Sequence, residues 1–397
     1  MEFGVQFFPA VGPDQKGADH YWREALELTQ LAEQLGFTNV RTVEHYFLSY
    51  GGYSPDPLIF LSAAAAMTRS LRLVTGAVLP VFNHPLKLAG QIGMVDAISG
   101  GRLEVGFARA FLPHEFARFG ISMDESRARF DEGLDLVRRL LEEEQVTARG
   151  RFHSFENVTS LPRPTQKPRP PFWIAALSTK ESFENAGTLG HHLMGIPLVG
   201  AHMQSLLRIY RDAWTRAGHP GRGKVMLAFH MYCAETREKA AAIARAPLNQ
   251  YLKSIVDAAS GWMSGVSSRD YPNYQKMIQM ISEETFESQV EKSAAWVRHS
   301  RRHPQGHRDL RSRGRGFRVR FAAGEFRDDQ PRRGRGLDAS VCPRGDAALC
   351  PCAAMKERAS PRLRARAQLT FVAGPCHGMP EVAHVSAKWL VRRDLVA

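Results

Sequence analysis

Cysteine is nearly absent from most of this chain. Of the five cysteines in 397 residues, only Cys233 precedes residue 298, and Cys342, Cys350, Cys352 and Cys376 follow it. One thiol makes no disulfide framework, and the other four match no metal-binding Cys-x-x-Cys pair, so these read as incidental thiols in a reducing compartment. No apolar run reaches the roughly 20 residues that a membrane span needs. The opening MEFGVQFF has no basic region leading into a long apolar stretch, which gives the expectation of a soluble, cytoplasmic protein. Also missing are His-Glu-x-x-His, paired carboxylates and a Gly-x-Gly-x-x-Gly after a strand. His191 and His192 are adjacent on an extended segment and point to opposite faces. Metal-ion and Rossmann-type chemistry are therefore not expected.

The formal charge of +13 raises the question of nucleic acid or a membrane surface, but its placement answers against both. Residues 298–397 hold 22 Lys and Arg against 9 Asp and Glu, while residues 1–297 hold 31 of each. The whole excess lies in the tail. The hydrophobic fraction of 44% is enough for a full core in the remainder.

What is present is a rhythm of strands and helices. Residues 2–8 alternate, with Phe3, Val5 and Phe7 on one side, as a first strand. Residues 19–36 carry Trp22, Ala25, Leu28, Ala32 and Leu35 at near-helical spacing and stop at Gly36. A second strand over 37–43 runs into Glu44-His45-Tyr46-Phe47, and Asp56 with Pro57 caps the next helix. Strands over 71–80, 103–107, 172–177, 191–197 and 224–234 then alternate with helices over 86–99, 124–141, the segment after 178, and 203–217. Residues 142–170, with a hairpin and LPRPTQKPRPP, read as an excursion on the rim. Residues 248–283 read as a mobile lid on the active-site face, with a helical decoration as the plain alternative. A helix over 285–297 ends the body. Seven alternations over short connections predict an α/β fold, a (β/α)8 TIM-type barrel, with an open doubly wound sheet second. The domains are a barrel over 1–297 and an arginine-rich tail over 298–397.

The stretch GGRLEVGFARAFLPHEFARFG, residues 100–120, organises the candidate site. Leu103, Val105 and Phe107 form a short buried strand, and Arg109 stands where it gives way to a loop. An arginine at the carboxyl end of a parallel strand is placed to clamp phosphate, although pairing with Glu115 or Asp124 is the plain alternative. Ser178-Thr179-Lys180-Glu181 has the form of a capping box, whose free backbone N–H groups, with the Ser178, Thr179 and Ser182 hydroxyls, suit the same phosphate. His45 at the end of the second strand is the acid/base candidate, and Glu44 beside it either orients it or binds loop backbone; a lone histidine also serves structural roles. Phe8, Tyr46, Phe111 and Trp173 are candidate walls.

The series MEFG, VEHYF, VLPVFNHPLKLA, GRLEVGFARAF with FARFGISMDESRARFDE, and WIAALSTKESFENAG resembles the bacterial luciferase-like flavin-dependent monooxygenases. The pattern is most like the luciferase α subunit and covers residues 1–297. The resemblance implies a (β/α)8 barrel that binds reduced FMN from a separate NAD(P)H:flavin reductase. With O2 as co-substrate it would form a C4a-(hydro)peroxyflavin and oxygenate a small organic substrate such as an aldehyde, a ketone or a natural-product intermediate. It also implies a homodimer or heterodimer and no membrane. Position by position, Arg109 matches the flavin-phosphate arginine; Ser178, Thr179 and Ser182 match the phosphate-binding turn; and His45 matches the catalytic histidine, with Glu44 in the pocket. Thr75 and Gly76 lie where the family has a non-prolyl cis peptide beneath the flavin ring. Ala108 stands where luciferase has a reactive cysteine and Ser178 where it has a glutamate. Those departures set light emission and the aldehyde substrate apart from what the match supports. Two rival readings are a deazaflavin-dependent oxidoreductase of the same superfamily, and a catalytically silent barrel or basic-tail binding protein.

Beyond residue 297 the resemblance stops, and apolar periodicity with it. A solvated, disordered basic arm is one reading. The other is a slip of reading frame near Val297, because arginine codons of the CGN type shifted by one base begin with G and encode Gly, Ala, Val, Asp or Glu. The shifted frame accommodates a capped helix, an alternating eighth strand and a closing amphipathic helix. Either way the eighth βα unit is expected to be missing or replaced, with strand edges left on both sides of the gap.

Overall fold

The computed structural model describes residues 2–196, 202–234, 236–299 and 387–392. Parallel strands β1 (Glu2–Phe7), β2 (Asn39–Thr42), β3 (Arg72–Thr75) and β4 (Leu103–Phe107) are joined by helices α1 (Ala18–Gln34), α2 (Pro57–Met67) and α3 (Pro85–Ser99). Past β4 come α4 (Pro113–Arg118), α5 (Ser126–Glu142) and the antiparallel hairpin β5 (Val146–Arg149) and β6 (Ser154–Val158), the rim excursion. Then β7 (Phe172–Ala175), α6 (Lys180–Thr188), β8 (His192–Gly195), α7 (His202–Arg216) and β9 (Val225–Ala234) resume the alternation. The insertion follows as α8 (Arg237–Ala258), α9 (Ser260–Met263), α10 (Tyr274–Ser282) and α11 (Phe286–Glu291), ahead of β10 (Ala295–His299) and β11 (Ala387–Arg392).

The order β1-β2-β3-β4-β7-β8-β9 is parallel throughout, and β11 lies between β9 and β1, so the sheet closes on itself. The expected TIM-type barrel is borne out, and so is the absence of a regular eighth unit. β11 runs antiparallel to both neighbours, which a strand delivered by a right-handed βα crossover does not do. The expected open edges are corrected: β11 pairs with both β1 and β9, and β10 continues along β9 in parallel from His230 to Ala234. The expected helix over 285–297 is also corrected. It ends at Glu291, and Ala295–His299 is strand, because Ala295 and Val297 pack into the apolar cluster beside β9. The expected disordered or frame-shifted tail, residues 298–397, lies outside the described residues except at 298–299 and 387–392, which are strand.

Local sequence explains the helix starts. Asp56 accepts the Leu58 N–H at 2.9 Å with Pro57 at the first helical position, and His84 with Pro85 opens α3 in the same way. The outward sides of the strands, among them Val5, Phe7, Val40, Leu73, Val105 and Phe172, pack against the helices in one apolar layer. Each buried Leu or Phe there contributes about 1.5–3 kcal/mol. The inward sides are partly polar, with Arg72 paired to Glu104 and the Trp173 indole donating to Glu104 Oε2 at 2.8 Å. No helix among the described residues is long and apolar enough to cross a membrane.

Candidate active site at the barrel mouth

The end of β2 carries two buried ionisable groups that take different partners. Glu44, 3% exposed, receives hydrogen bonds from the Tyr46 hydroxyl (2.5 Å), the Asn83 amide (2.9 Å) and the Leu79 N–H (3.0 Å). Burial pushes its carboxyl up to about 8, against these three donors, which pull it down. Glu44 therefore ties the β2 end to the loop after β3 and makes no bond to His45. His45 instead meets Glu115 of α4, with Nδ1 3.1 Å from Oε1, and the same oxygen accepts the Tyr46 N–H at 2.9 Å. Glu115 is fully buried, and Phe8, Tyr50 and Phe111 surround the imidazole.

At the end of β4, Arg109 pairs with neither Glu115 nor Asp124. Its Nη1 donates to the Asp270 carbonyl at 2.9 Å, and its guanidinium lies 4.3 Å from the centre of the Tyr271 ring. Both partners belong to the insertion, which is stitched to the β4–α5 region. The Tyr271 hydroxyl donates to the Ala110 carbonyl (2.8 Å), the Trp262 indole to that of Phe111 (2.9 Å), and the Asp270 carboxylate accepts the Arg127 N–H at the start of α5 (2.9 Å). Burial holds the Tyr274 phenol above its ordinary range, while the neighbouring Arg109 and Thr179 pull it the other way. One hydroxyl of the insertion thus has Arg109 and Thr179 for neighbours, and the Ser178 hydroxyl contacts Met277 Sδ at 3.7 Å.

The other sequence candidates fall less uniformly. The capping box at Ser178 is not formed: the N-cap is Thr179, without a side-chain cap bond, because Ser178 turns towards the insertion instead. Ser182 lies in the first turn of α6, and its hydroxyl makes no hydrogen bond among the described residues. The cis peptide is Gly76–Ala77, so Gly76 belongs to it and Thr75 does not. The Thr75 hydroxyl is sealed between β3 and β4, exchanging bonds with Gly106 at 2.8 Å each way. Ala108 is half-buried, with its N–H on the Val78 carbonyl (3.0 Å). Trp173 is no wall of the mouth, since it lies inside the barrel with Val74, Met194, Met226 and Ala228. Sequence reasoning missed Glu115 as the partner of His45, seventy residues away. It missed Tyr274 and the inward Arg41 as well, since nothing in their local patterns marks a site.

Fold and mouth define a TIM-type barrel whose polar groups gather past the carboxyl ends of its strands, against the insertion. The chain belongs to the luciferase-like monooxygenase family, whose profile matches residues 1–305. It is 33% identical over 231 residues to the oxygenase component of the flavin-dependent trigonelline monooxygenase of Acinetobacter baylyi, covering 57% of this chain and 63% of that one. Matches to three curated relatives cover 54%, 63% and 60% of their lengths, so the chain spans under two thirds of each. Among solved structures, the monooxygenase RslO1 of Streptomyces bottropensis superposes with a TM-score of 0.62 at 43% identity, over 75% of this chain and 92% of that one. The oxygenating constituent of 3,6-diketocamphane monooxygenase of Pseudomonas putida, in complex with FMN, superposes with a TM-score of 0.60 over 74% and 83%. At 20% identity, that second likeness shows the fold alone.

Proposed function

We propose that the protein is the oxygenase of a two-component flavin-dependent monooxygenase, binding reduced FMN from a separate flavin reductase and using O2 to oxygenate a small organic substrate. The observation that carries this reading is one mouth holding both a buried His45–Glu115 couple and, about the Tyr274 phenol, Arg109 and Thr179, which would hold a phosphate. The donor set fits a phosphorylated flavin. Arg109 offers a planar fork whose present partners, a carbonyl and a ring, are replaceable, and Thr179 and Ser178 add hydroxyls at the same rim. A family relative being an oxygenase component supports the separate reductase.

Reduced FMN, when bound, supplies the oxygen-activating chemistry. The chain supplies position, dryness and a proton. With Glu115 accepting from Nδ1–H, the neutral imidazole of His45 keeps Nε2 as a proton acceptor, and it can return that proton to a nascent oxygen product. Phe8, Tyr50 and Phe111 keep water from the imidazole. The insertion carrying Asp270, Tyr271 and Tyr274 acts as a lid, opening for the phosphate and closing behind it.

Oxygen uptake with FMN, NADH, a flavin reductase and a panel of aldehydes and polyketide-like ketones tests this reading. A substrate-dependent oxygenated product is expected. Hydride transfer from a reduced deazaflavin without oxygen, and no FMN-dependent product, would overturn it in favour of the deazaflavin class.

A further inference from the structure

Arg41 is an inward residue of β2, 3% exposed, and its side chain reaches across the barrel. Nη1 lies 3.5 Å from Met194 Sδ on β8 and 3.8 Å from Met226 Sδ on β9, both weak acceptors. Its Nε has no hydrogen-bond partner, and no carboxylate among the described residues pairs with it. The interior carboxylate Glu104 is engaged by Arg72 and Trp173. Burial pushes the Arg41 guanidinium down to about 9, which leaves it cationic at neutral pH. Tyr251 acts on it electrostatically, but burial pushes that phenol up to about 12, so it brings no negative charge. Among the described residues the result is a desolvated cation without an anion, an arrangement that is strongly unfavourable in an empty fold.

Its position joins it to the mouth. The Arg41 stem passes directly over Gly76, where an added Cβ would stand 2.1 Å from Nε, so a side chain there would displace it. Tyr251 contacts the Tyr50 hydroxyl at 3.5 Å and packs on Phe8, and Tyr50 packs on His45 with ring centres 5.1 Å apart. Contacts thus run from Tyr251, which acts on Arg41 electrostatically, to the imidazole.

We infer that Arg41, buried beneath the mouth beside Gly76, is its selectivity element, holding a fixed positive charge that favours the anionic, two-electron-reduced flavin ring over the neutral oxidised one. The inference rests on the monooxygenase reading. Reduced flavin carries negative charge on its N1–C2 carbonyl edge, and a buried guanidinium with no carboxylate partner among the described residues attracts that edge far more than the oxidised ring. The phosphate, common to both forms, adds no discrimination, so ring selectivity has to come from below it.

The test is anaerobic equilibrium binding of oxidised FMN and of dithionite-reduced FMN to the full chain, Arg41→Met and Arg41→Lys, with melting temperatures of the three unliganded proteins. Wild type is expected to prefer the reduced form by about tenfold or more. Arg41→Met is expected to lose that preference while melting no lower than wild type, and Arg41→Lys to keep most of it. An undiminished preference in Arg41→Met, or equal weakening of both forms, would overturn the inference and leave the enzyme reading standing. A clear drop in melting temperature for Arg41→Met would also overturn it, by making Arg41 part of the scaffold. Wild type binding neither form of FMN would instead overturn the enzyme reading, and the inference with it.

Discussion

On the side of the mouth built by β2 and α4, the polar groups are answered from within the barrel. Glu44 has three donors from the β2 and β3 ends, and His45 has Glu115. On the side built by β4 and α6, the corresponding groups are answered by the insertion, through the Asp270 carbonyl, the Tyr271 ring, Tyr274 and Met277. The first side is fixed by its own hydrogen bonds, as the proposed acid/base role would require. The second is satisfied by groups that a ligand phosphate can replace, because a guanidinium gains more from a dianion than from a carbonyl and a ring.

Removing the fixed side should have the largest effect. In His45→Ala, oxygenation falls by about 10²–10⁴-fold, the scale of a lost general acid/base, with reduced FMN bound nearly as in wild type. Single-turnover product yield and anaerobic flavin titration check this together, and wild-type turnover would erase the distinction between the two sides.

The lid side should show its effect in binding. Arg109→Ala weakens reduced FMN by about 1.5–3 kcal/mol, as for a lost charge-assisted hydrogen bond. Tyr274→Phe, which removes only the lid's competing hydroxyl, shifts affinity the other way by about 0.5–1 kcal/mol. Tighter binding in Arg109→Ala, or weaker binding in Tyr274→Phe, would show the lid to be a ligand-holding wall.

The last effect is read in pH-dependent stability, not in turnover or flavin binding. Burial raises the folded Glu44 carboxyl to about 8, so the folded state holds a proton that the unfolded chain releases near 4.3. The stability it contributes is present in full below the unfolded value and is lost as pH rises through about 8. Glu44→Gln should flatten urea-unfolding stability across that window, by up to about 1 kcal/mol per pH unit. An unchanged slope would mean that the three donors hold Glu44 ionised.

Much of the scaffold was legible in the sequence because its signals are local. The Asp56-Pro57 cap, the alternation of Phe3, Val5 and Phe7, and the Gly36 stop each depend on neighbours a few residues away. The end of the body was misread because Ala295–His299 takes its form from pairing with β9, a contact across sixty-five residues. Ser178 was misread for a similar reason: a capping box is a local expectation, and Met277 drew the hydroxyl elsewhere.

The sequence by itself determined the strand and helix rhythm, the position of Arg109 and His45 at strand ends, and the confinement of excess charge to residues 298–397. Tertiary structure alone decided the partners. Glu115 reaches His45 from α4, Tyr274 reaches Arg109 and Thr179 from the insertion, Arg41 crosses the barrel to Met194 and Met226, and β11 enters antiparallel between β9 and β1. The physical reason is range. Backbone propensity and capping act over one or two turns, whereas a buried charge must find its partner wherever barrel closure brings one, and sequence spacing carries no record of that meeting.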